Sequence, residues 1–365
     1  MGLGCRILFK PWHVRLVPVL WLLSQLLPGT RLLRTRFLPC TVRSILVAPL
    51  GPLILLFLMA LAQSFRERNV RAGALGGTML APSDLKDRPV VLIIPGSGPT
   101  DQDGNSPLGI KASTYRLLAQ ELARQGIASV RIDKRGMYAS AAAIADPNAV
   151  TIADYASDVR VWANELRKIT GAKCIWLLGH SEGGLVALAA AQAAPTVDGV
   201  ILAAVAGRPL GEVLRSQLRS NPANAPVLEE AFATLQALEA GKRIDATVLH
   251  PALRSLFRPE IQAFLIDVFT YDPISLLAGI SKPVLILQGT KDLQVGEEDA
   301  SRLAAVSAGG ELVLLPGVNH VLKHVPGDDR ASNLATYGNP DLPLAAGVVD
   351  AIAGFIESQD RKSVV

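Results

Sequence analysis

From Pro89 onward the chain alternates short β-branched or leucine-rich runs with longer helix-like segments, and this alternation constrains the fold more than any other feature. "VVLII" (Val90 to Ile94), "IASVRID" (Ile127 to Asp133), "CIWLL" (Cys174 to Leu178), "GVILAAV" (Gly199 to Val205), "PVLILQG" (Pro283 to Gly289) and "ELVLLPG" (Glu311 to Gly317) read as strands. Helical patterns stand between them, near Thr114 to Gln125, over Ile152 to Ile169 and in "GLVALAAAQAA". In the second of these Tyr155, Val159, Trp162, Leu166 and Ile169 recur at spacings of three and four, an apolar stripe on one helix face. Strands that are apolar throughout must be covered on both faces, which predicts a mostly parallel sheet flanked by helices, an α/β fold. Half of the 365 residues are apolar, enough for a sizeable core.

One region breaks the alternation. Between Gly207 and Ser281 helix-like pieces such as "LGEVLRSQLRS" and "RPEIQAFLIDVF" follow one another without a clear strand. In open α/β sheets ligands bind at the carboxyl ends of the strands, so an insertion there shapes a pocket. The expected organisation is a leader over 1–62, a core in two parts over 63–206 and 282–358, and a helical cap over 207–281. Leu344 to Ser358 reads as a closing helix.

The net charge of +4 suggests nucleic acid until it is placed along the chain. Eight basic residues and no acidic one lie between Met1 and Arg66, leaving 28 basic against 32 acidic residues from Glu67 onward. The body of the chain therefore gives no argument for nucleic-acid binding. Within the leader, eighteen uncharged residues run from Ile45 to Ala62 behind Arg43. A basic flank, an apolar stretch and small residues at Ala60 and Ala62 read as a secretory signal cut after Ala62; an uncleaved membrane anchor is the alternative, since eighteen apolar residues can span a bilayer. The expected location is extracytoplasmic. Of three cysteines, Cys5 and Cys40 fall in the leader, and Cys174, in "KCIWLLG", reads as a packed core residue.

The stretch "LLGHSEGG" places Ser181 between a strand and a helix, with Gly179 and Gly183 around it. Such a turn exposes the hydroxyl while glycines avoid side-chain collisions, and the following helix aims backbone N–H groups at developing negative charge. A serine so placed is suited to acyl attack once a base takes its proton and a carboxylate holds the base. Five histidines are available. His13 lies in the leader, His180 in the turn itself and His250 in the cap; His320 follows the last strand and is the expected base, with His324 the second candidate. Asp292, three residues beyond Gly289, is the expected acid. The order serine, aspartate, histidine is that of the α/β-hydrolase arrangement. Expected oxyanion donors are the amides of Glu182, next to the nucleophile, and Ser97, in "PGSGP" after the first of these strands. Asp133 and Arg135 of "DKRG" read as loop braces.

Taken together, "IIPGSGPTDQDGNS", "RIDKRG", "GHSEGG", "AGRPL", "YDP", "PVLILQGTKDLQV" and "NHVLK" resemble the bacterial EstD-like esterases, serine carboxylesterases of the α/β-hydrolase superfamily. The resemblance runs from about Val90 to Lys323 and implies hydrolysis of carboxylic esters with Ser181, Asp292 and His320 as the triad. Two positions depart from the pattern: Gln102 stands where arginine is expected, and Tyr138 where a small residue is expected, both in loops read as bordering the pocket.

The sequence thus leads to an expected capped α/β hydrolase that cleaves acyl esters of moderate length, with a small-molecule substrate and no metal or organic cofactor. A thioesterase or peptidase using the same triad is the alternative, because the nucleophile does not define the leaving group. A membrane-tethered binding protein that kept the fold without turnover is a further one. A dehalogenase is disfavoured, since that chemistry needs an aspartate where Ser181 stands.

Overall fold

The computed structural model describes residues 65–362 apart from 84 and 86. The leader assigned to 1–62, with its signal or anchor, lies outside the described residues. Eight strands form one sheet: β1 (Phe65–Ala72), β2 (Leu75–Pro82), β3 (Val90–Ile94), β4 (Ala128–Ile132), β5 (Ile175–His180), β6 (Gly199–Ala203), β7 (Val284–Gly289) and β8 (Glu311–Leu315). Their order is β1-β2-β4-β3-β5-β6-β7-β8. From β4 to β8 every neighbouring pair is parallel, whereas β2 runs against both β1 and β4. The six expected strands are present. The β1–β2 hairpin was not anticipated, because "LGGTMLAP" and the charged "FRERNVRA" lack the apolar continuity of the others.

Alternate residues of the central strands enter two separate cores, which is why these strands are apolar at most positions. Leu92, Ile94, Leu177, Val200, Leu202 and Ile286 face one core; Val91, Ile93, Trp176, Leu178, Ile201 and Leu285 face the other. The helices that cover them are α1 (Thr114–Arg124), α2 (Ile152–Thr170), α3 (Glu182–Ala191), then α4 (Leu210–Ser220), α5 (Leu228–Glu239), α6 (Pro251–Arg254), α7 (Pro259–Val268) and α8 (Pro273–Ala278), and finally α9 (Glu297–Val306), α10 (Arg330–Ala335) and α11 (Val348–Lys362).

Helix α2 begins at a capping box between Thr151 and Asp154 and stops at Gly171, whose φ of 62° suits a residue without a side chain. Its stripe buries Tyr155, Val159, Trp162 and Leu166, while Ile169 is 38% exposed and Thr170 takes the last inward position. The 3.6-residue period rotates a three-and-four pattern off the core over nineteen residues.

Between β6 and β7 the described residues form only helices, α4 through α8, and several of their apolar side chains, including Leu235, Leu238, Phe257 and Leu265, join the first core. Strand β5 starts one residue later than expected. Cys174 therefore precedes it, and burial pushes its thiol up to about 11, well away from the thiolate form that reacts.

Candidate active site

Because β3, β5, β7 and β8 run parallel, the loops that leave their carboxyl ends gather at one edge of the sheet, and these loops carry the expected site residues. Ser97 follows β3, Ser181 follows β5, Asp292 follows β7 and His320 follows β8. Residues some 220 positions apart in the chain are thereby brought to one cavity of about 60 Å³, lined by Ser97, Tyr115, His180, Ser181, Gln294 and His320 among others.

Ser181 has φ 55° and ψ −124°, a backbone region costly for any residue with a Cβ. Close packing on either side enforces it. A Cβ on Gly179 would stand 2.3 Å from the Gly183 carbonyl oxygen, and one on Gly183 would stand 2.3 Å from that of Ile94. The two glycines thus let the turn between β5 and α3 press against β3. Glu182 is the first residue of α3, so its N–H is among those the helix cannot pair internally.

Opposite the serine, His320 is 5% exposed, and its Nδ1 lies 2.8 Å from Asp292 Oδ2. The other Asp292 oxygen accepts the N–H groups of Gln294 at 2.7 Å and Val295 at 3.0 Å. Burial alone would raise the Asp292 carboxyl; the His320 ring and these hydrogen bonds reverse that and hold it below its ordinary value. Asp292 is therefore a carboxylate, His320 donates Nδ1–H to it, and Nε2 of His320 is left as the basic nitrogen. His324 is exposed and lines neither cavity at Ser181.

Three residues that were not singled out for this role tie the loops together. Gly96 N–H donates to Tyr115 Oη at 2.9 Å, Tyr115 Oη is 2.9 Å from His180 Nδ1, and His180 Nε2 is 2.7 Å from the His320 carbonyl oxygen. That carbonyl can only accept, so the His180 proton sits on Nε2, and the Tyr115 hydroxyl donates to Nδ1. Burial, and then the adjacent His320 ring, lower His180 to about 3, which keeps it neutral. Its ring lies 4.9 Å from that of His320. Nothing in the periodic pattern of α1 distinguishes Tyr115 from an ordinary core residue.

The third is Lys134. Its ammonium donates to the Gly96 carbonyl at 2.7 Å and pairs with Glu182 at 3.2 Å, with both side chains largely buried. In a trans peptide C=O and N–H point oppositely, so anchoring the Gly96 carbonyl aims Ser97 N–H away from Lys134. A Cβ added to Gly96 would lie 3.3 Å from Ser181 Cβ, which places this peptide beside the serine. The "DKRG" motif carried the signal, although only its neighbours were read as braces. Those readings hold: Asp133 accepts from the N–H groups of Gln102 and Ala139, and Arg135 pairs with Asp158 and Asp154.

The loop that carries Gln102 borders the pocket as expected, through Thr100 and Gly104, but neither Gln102 nor Tyr138 itself reaches it. Gln102 lines a separate polar groove with Glu67 and Arg131, and Tyr138 lines neither cavity at Ser181; it reaches one wall only through a hydrogen bond from its hydroxyl to the Pro99 carbonyl at 2.5 Å.

A larger cavity of about 390 Å³ opens from the same serine and is walled mainly by the helical insertion. Leu210, Val213, Leu214, Ile261, Phe264 and Val268 are among its apolar lining residues. Ser97, Ser181 and Gln294 belong to both cavities, whereas His180 and His320 face only the smaller.

Comparison with known proteins agrees with this architecture. A family model described as serine aminopeptidase, S33 (Hydrolase_4) matches residues 108–324, more than half of the chain. The esterase EstD of Thermotoga maritima is 27% identical over 300 residues, spanning 80% of this chain and 68% of that protein, in line with the resemblance drawn from the motifs. Among solved structures, Est1E from Butyrivibrio proteoclasticus with bound ferulic acid superposes with a TM-score of 0.50 at 16% identity, covering 80% of this chain and 99% of that one. The proline iminopeptidase of Mycobacterium smegmatis gives 0.50 at 13% identity, covering 82% and 100%. The shared fold is the α/β-hydrolase fold.

Proposed function

The chain belongs to the serine aminopeptidase S33 (Hydrolase_4) family, and from that membership we propose that it hydrolyses carboxylic esters through an acyl-enzyme formed on Ser181. The observation that carries the reading is the meeting, in one cavity, of a serine held at φ 55° and a histidine whose Nδ1 is bound to a buried carboxylate. The similarity to EstD favours an ester over the amide that the family's name implies.

In this reading Ser181 Oγ attacks the ester carbonyl while His320 Nε2 takes its proton. Asp292 holds the ring and balances the imidazolium charge. Charge that develops on the carbonyl oxygen is met by the amides of Ser97 and Glu182, at the positive end of α3. His320 then returns the proton to the departing alkoxide, and a water, activated by the same ring, releases the acid and frees Ser181. An amide would need the same steps with a poorer leaving group, so the elbow alone does not separate the two substrates; the comparison of rates does.

Labelling with a fluorophosphonate, alongside turnover of matched ester, thioester and amide substrates, tests the reading. The expected result is a single label at Ser181, faster turnover of the ester than of the amide, and loss of both label and turnover in Ser181→Ala. Undiminished ester cleavage by Ser181→Ala would refute the assignment. An absent label on the folded wild-type protein would instead favour a binding role.

The leader supports a second part of the proposal: export, with a signal cut after Ala62 or an anchor that keeps the enzyme at a membrane surface. Among the described residues no helix is long and apolar enough to cross a membrane. N-terminal sequencing of the exported protein distinguishes the two.

A further inference from the structure

The two cavities that meet at Ser181 differ in size, in lining and in their relation to the base, and the difference bears on which part of an ester each can hold. The smaller, about 60 Å³, is lined by His180 and His320 together with Tyr115 and Thr114. The larger, about 390 Å³, has a predominantly apolar wall and no histidine. Of its three charged members, Arg208 pairs with the buried Asp299 at 2.8 Å and Glu182 pairs with Lys134 at 3.2 Å, while Arg258 has only a long, exposed pair with Glu260 at 4.0 Å. Apart from Arg258 that wall offers no loosely paired charge, and its apolar side chains outnumber its charged ones.

The chemistry orients the substrate between them. The C–O bond to the alcohol breaks as the Ser181 Oγ–C bond persists, and the proton that left Oγ must travel from His320 Nε2 to the departing oxygen. That oxygen therefore lies on the His320 side of the serine, in the smaller cavity. The carbonyl substituent that remains attached to Ser181 is left with the larger one.

We propose, on the basis of the ester-hydrolase reading, that the substrates are esters of a medium or long apolar carboxylic acid with a small alcohol, the acyl chain lying among Val213, Leu214, Ile261 and Phe264. Methylene groups on the acid leave water and contribute about fourfold each to kcat/KM while the cavity lasts. Methylene groups on the alcohol have no comparable apolar wall and contribute little.

The isomers methyl octanoate and heptyl acetate isolate this effect, because they have the same atoms and place the long chain on opposite sides of the carboxyl. With the full chain as purified, and both esters below their solubility limits, kcat/KM is expected to be at least tenfold higher for methyl octanoate. Across the methyl esters from acetate to octanoate it should rise, while across the acetates from methyl to heptyl it should stay within about threefold. Equal or faster cleavage of heptyl acetate would overturn the acyl placement and leave ester hydrolysis standing. Cleavage of neither isomer, nor of any member of the two series, by protein that still takes the fluorophosphonate label would overturn the ester reading and this proposal with it.

Discussion

Lys134 holds the carbonyl of Gly96 at 2.7 Å from β4's end of the sheet, and by doing so it orients the next peptide unit, whose N–H belongs to Ser97. The same ammonium reaches Glu182 at 3.2 Å, the residue whose amide is the other proposed oxyanion donor. One buried cation thus braces both halves of that hole without touching a reacting atom.

Replacement of Lys134 by Met keeps the bulk and removes the donor. It leaves a buried carbonyl and a largely buried carboxylate unpaired, at a cost of about 3 kcal/mol in stability. The expected kinetic signature is a fall in kcat of about 10–100-fold with a much smaller change in KM, since a misaimed oxyanion donor matters most in the transition state. Unfolding by denaturant measures the first effect and steady-state kinetics the second. An equal loss in kcat and gain in KM would argue that Lys134 only supports the fold.

His180 gives a pH dependence of stability. Its folded pKa is depressed to about 3, while in the unfolded chain it returns to its ordinary value of 6.5. Between these values the unfolded chain binds a proton that the folded chain does not, so stability is full above pH 6.5 and falls as the pH drops towards 3. The slope from this one group is at most about 1.4 kcal/mol per pH unit. A His180→Gln variant should lose that portion of the slope when unfolding free energies are compared at pH 6.5, 5.5 and 4.5. Parallel curves for the two proteins would contradict the depressed value.

For Asp292→Asn the carboxyl oxygen facing Gln294 N–H and Val295 N–H at 2.7 and 3.0 Å can be preserved only by turning the new amide N–H₂ toward His320 Nδ1. That forces the ring into the tautomer with its proton on Nε2, where it cannot accept from Ser181. A drop in kcat of roughly 10⁴-fold is expected, with substrate binding little changed. Burst kinetics with a p-nitrophenyl ester, read alongside fluorophosphonate labelling rates, should show acylation itself slowed.

Two glycines make a matched pair of opposite outcomes. At Gly183 a Cβ would stand 2.3 Å from the Ile94 carbonyl oxygen and 2.7 Å from that of Pro95, both backbone atoms that cannot step aside. Gly183→Ala should lower stability by about 3 kcal/mol or more and open the elbow, abolishing activity. At Gly354, on the exposed side of α11, nothing lies within 4 Å of the added carbon. Gly354→Ala should raise stability by up to about 1 kcal/mol with activity intact. Thermal melts of the two variants check both.

The six strands from β3 to β8, the helical stretch over 207–281 and the junction at Ser181 were legible because each depends on neighbours in the chain. A strand covered on both faces is apolar at most positions, as β3, β6 and β7 are, and an elbow must have small residues at Gly179 and Gly183 whatever surrounds it. The β1–β2 hairpin was not legible, since at the sheet's edge pairing replaces apolar burial as the reason for the strand: Glu67 and Arg68 are exposed, and Arg131 of β4 pairs across to Glu67.

The sequence by itself determined the type of sheet, the nucleophile candidate and the order of the residues proposed to serve it, because sterics at a tight turn and the periodicity of burial act over a few residues. Only the tertiary structure decided that Tyr115 and His180 link Gly96 to the His320 loop, that Lys134 rather than its neighbours grips the Gly96–Ser97 peptide, and that Gln102 and Tyr138 stand away from the cavities at Ser181. Those contacts join segments far apart in the chain. A buried hydroxyl, imidazole or ammonium acquires its partner, and with it its protonation and direction, from whatever the fold brings within 3 Å or so, and no local pattern encodes that.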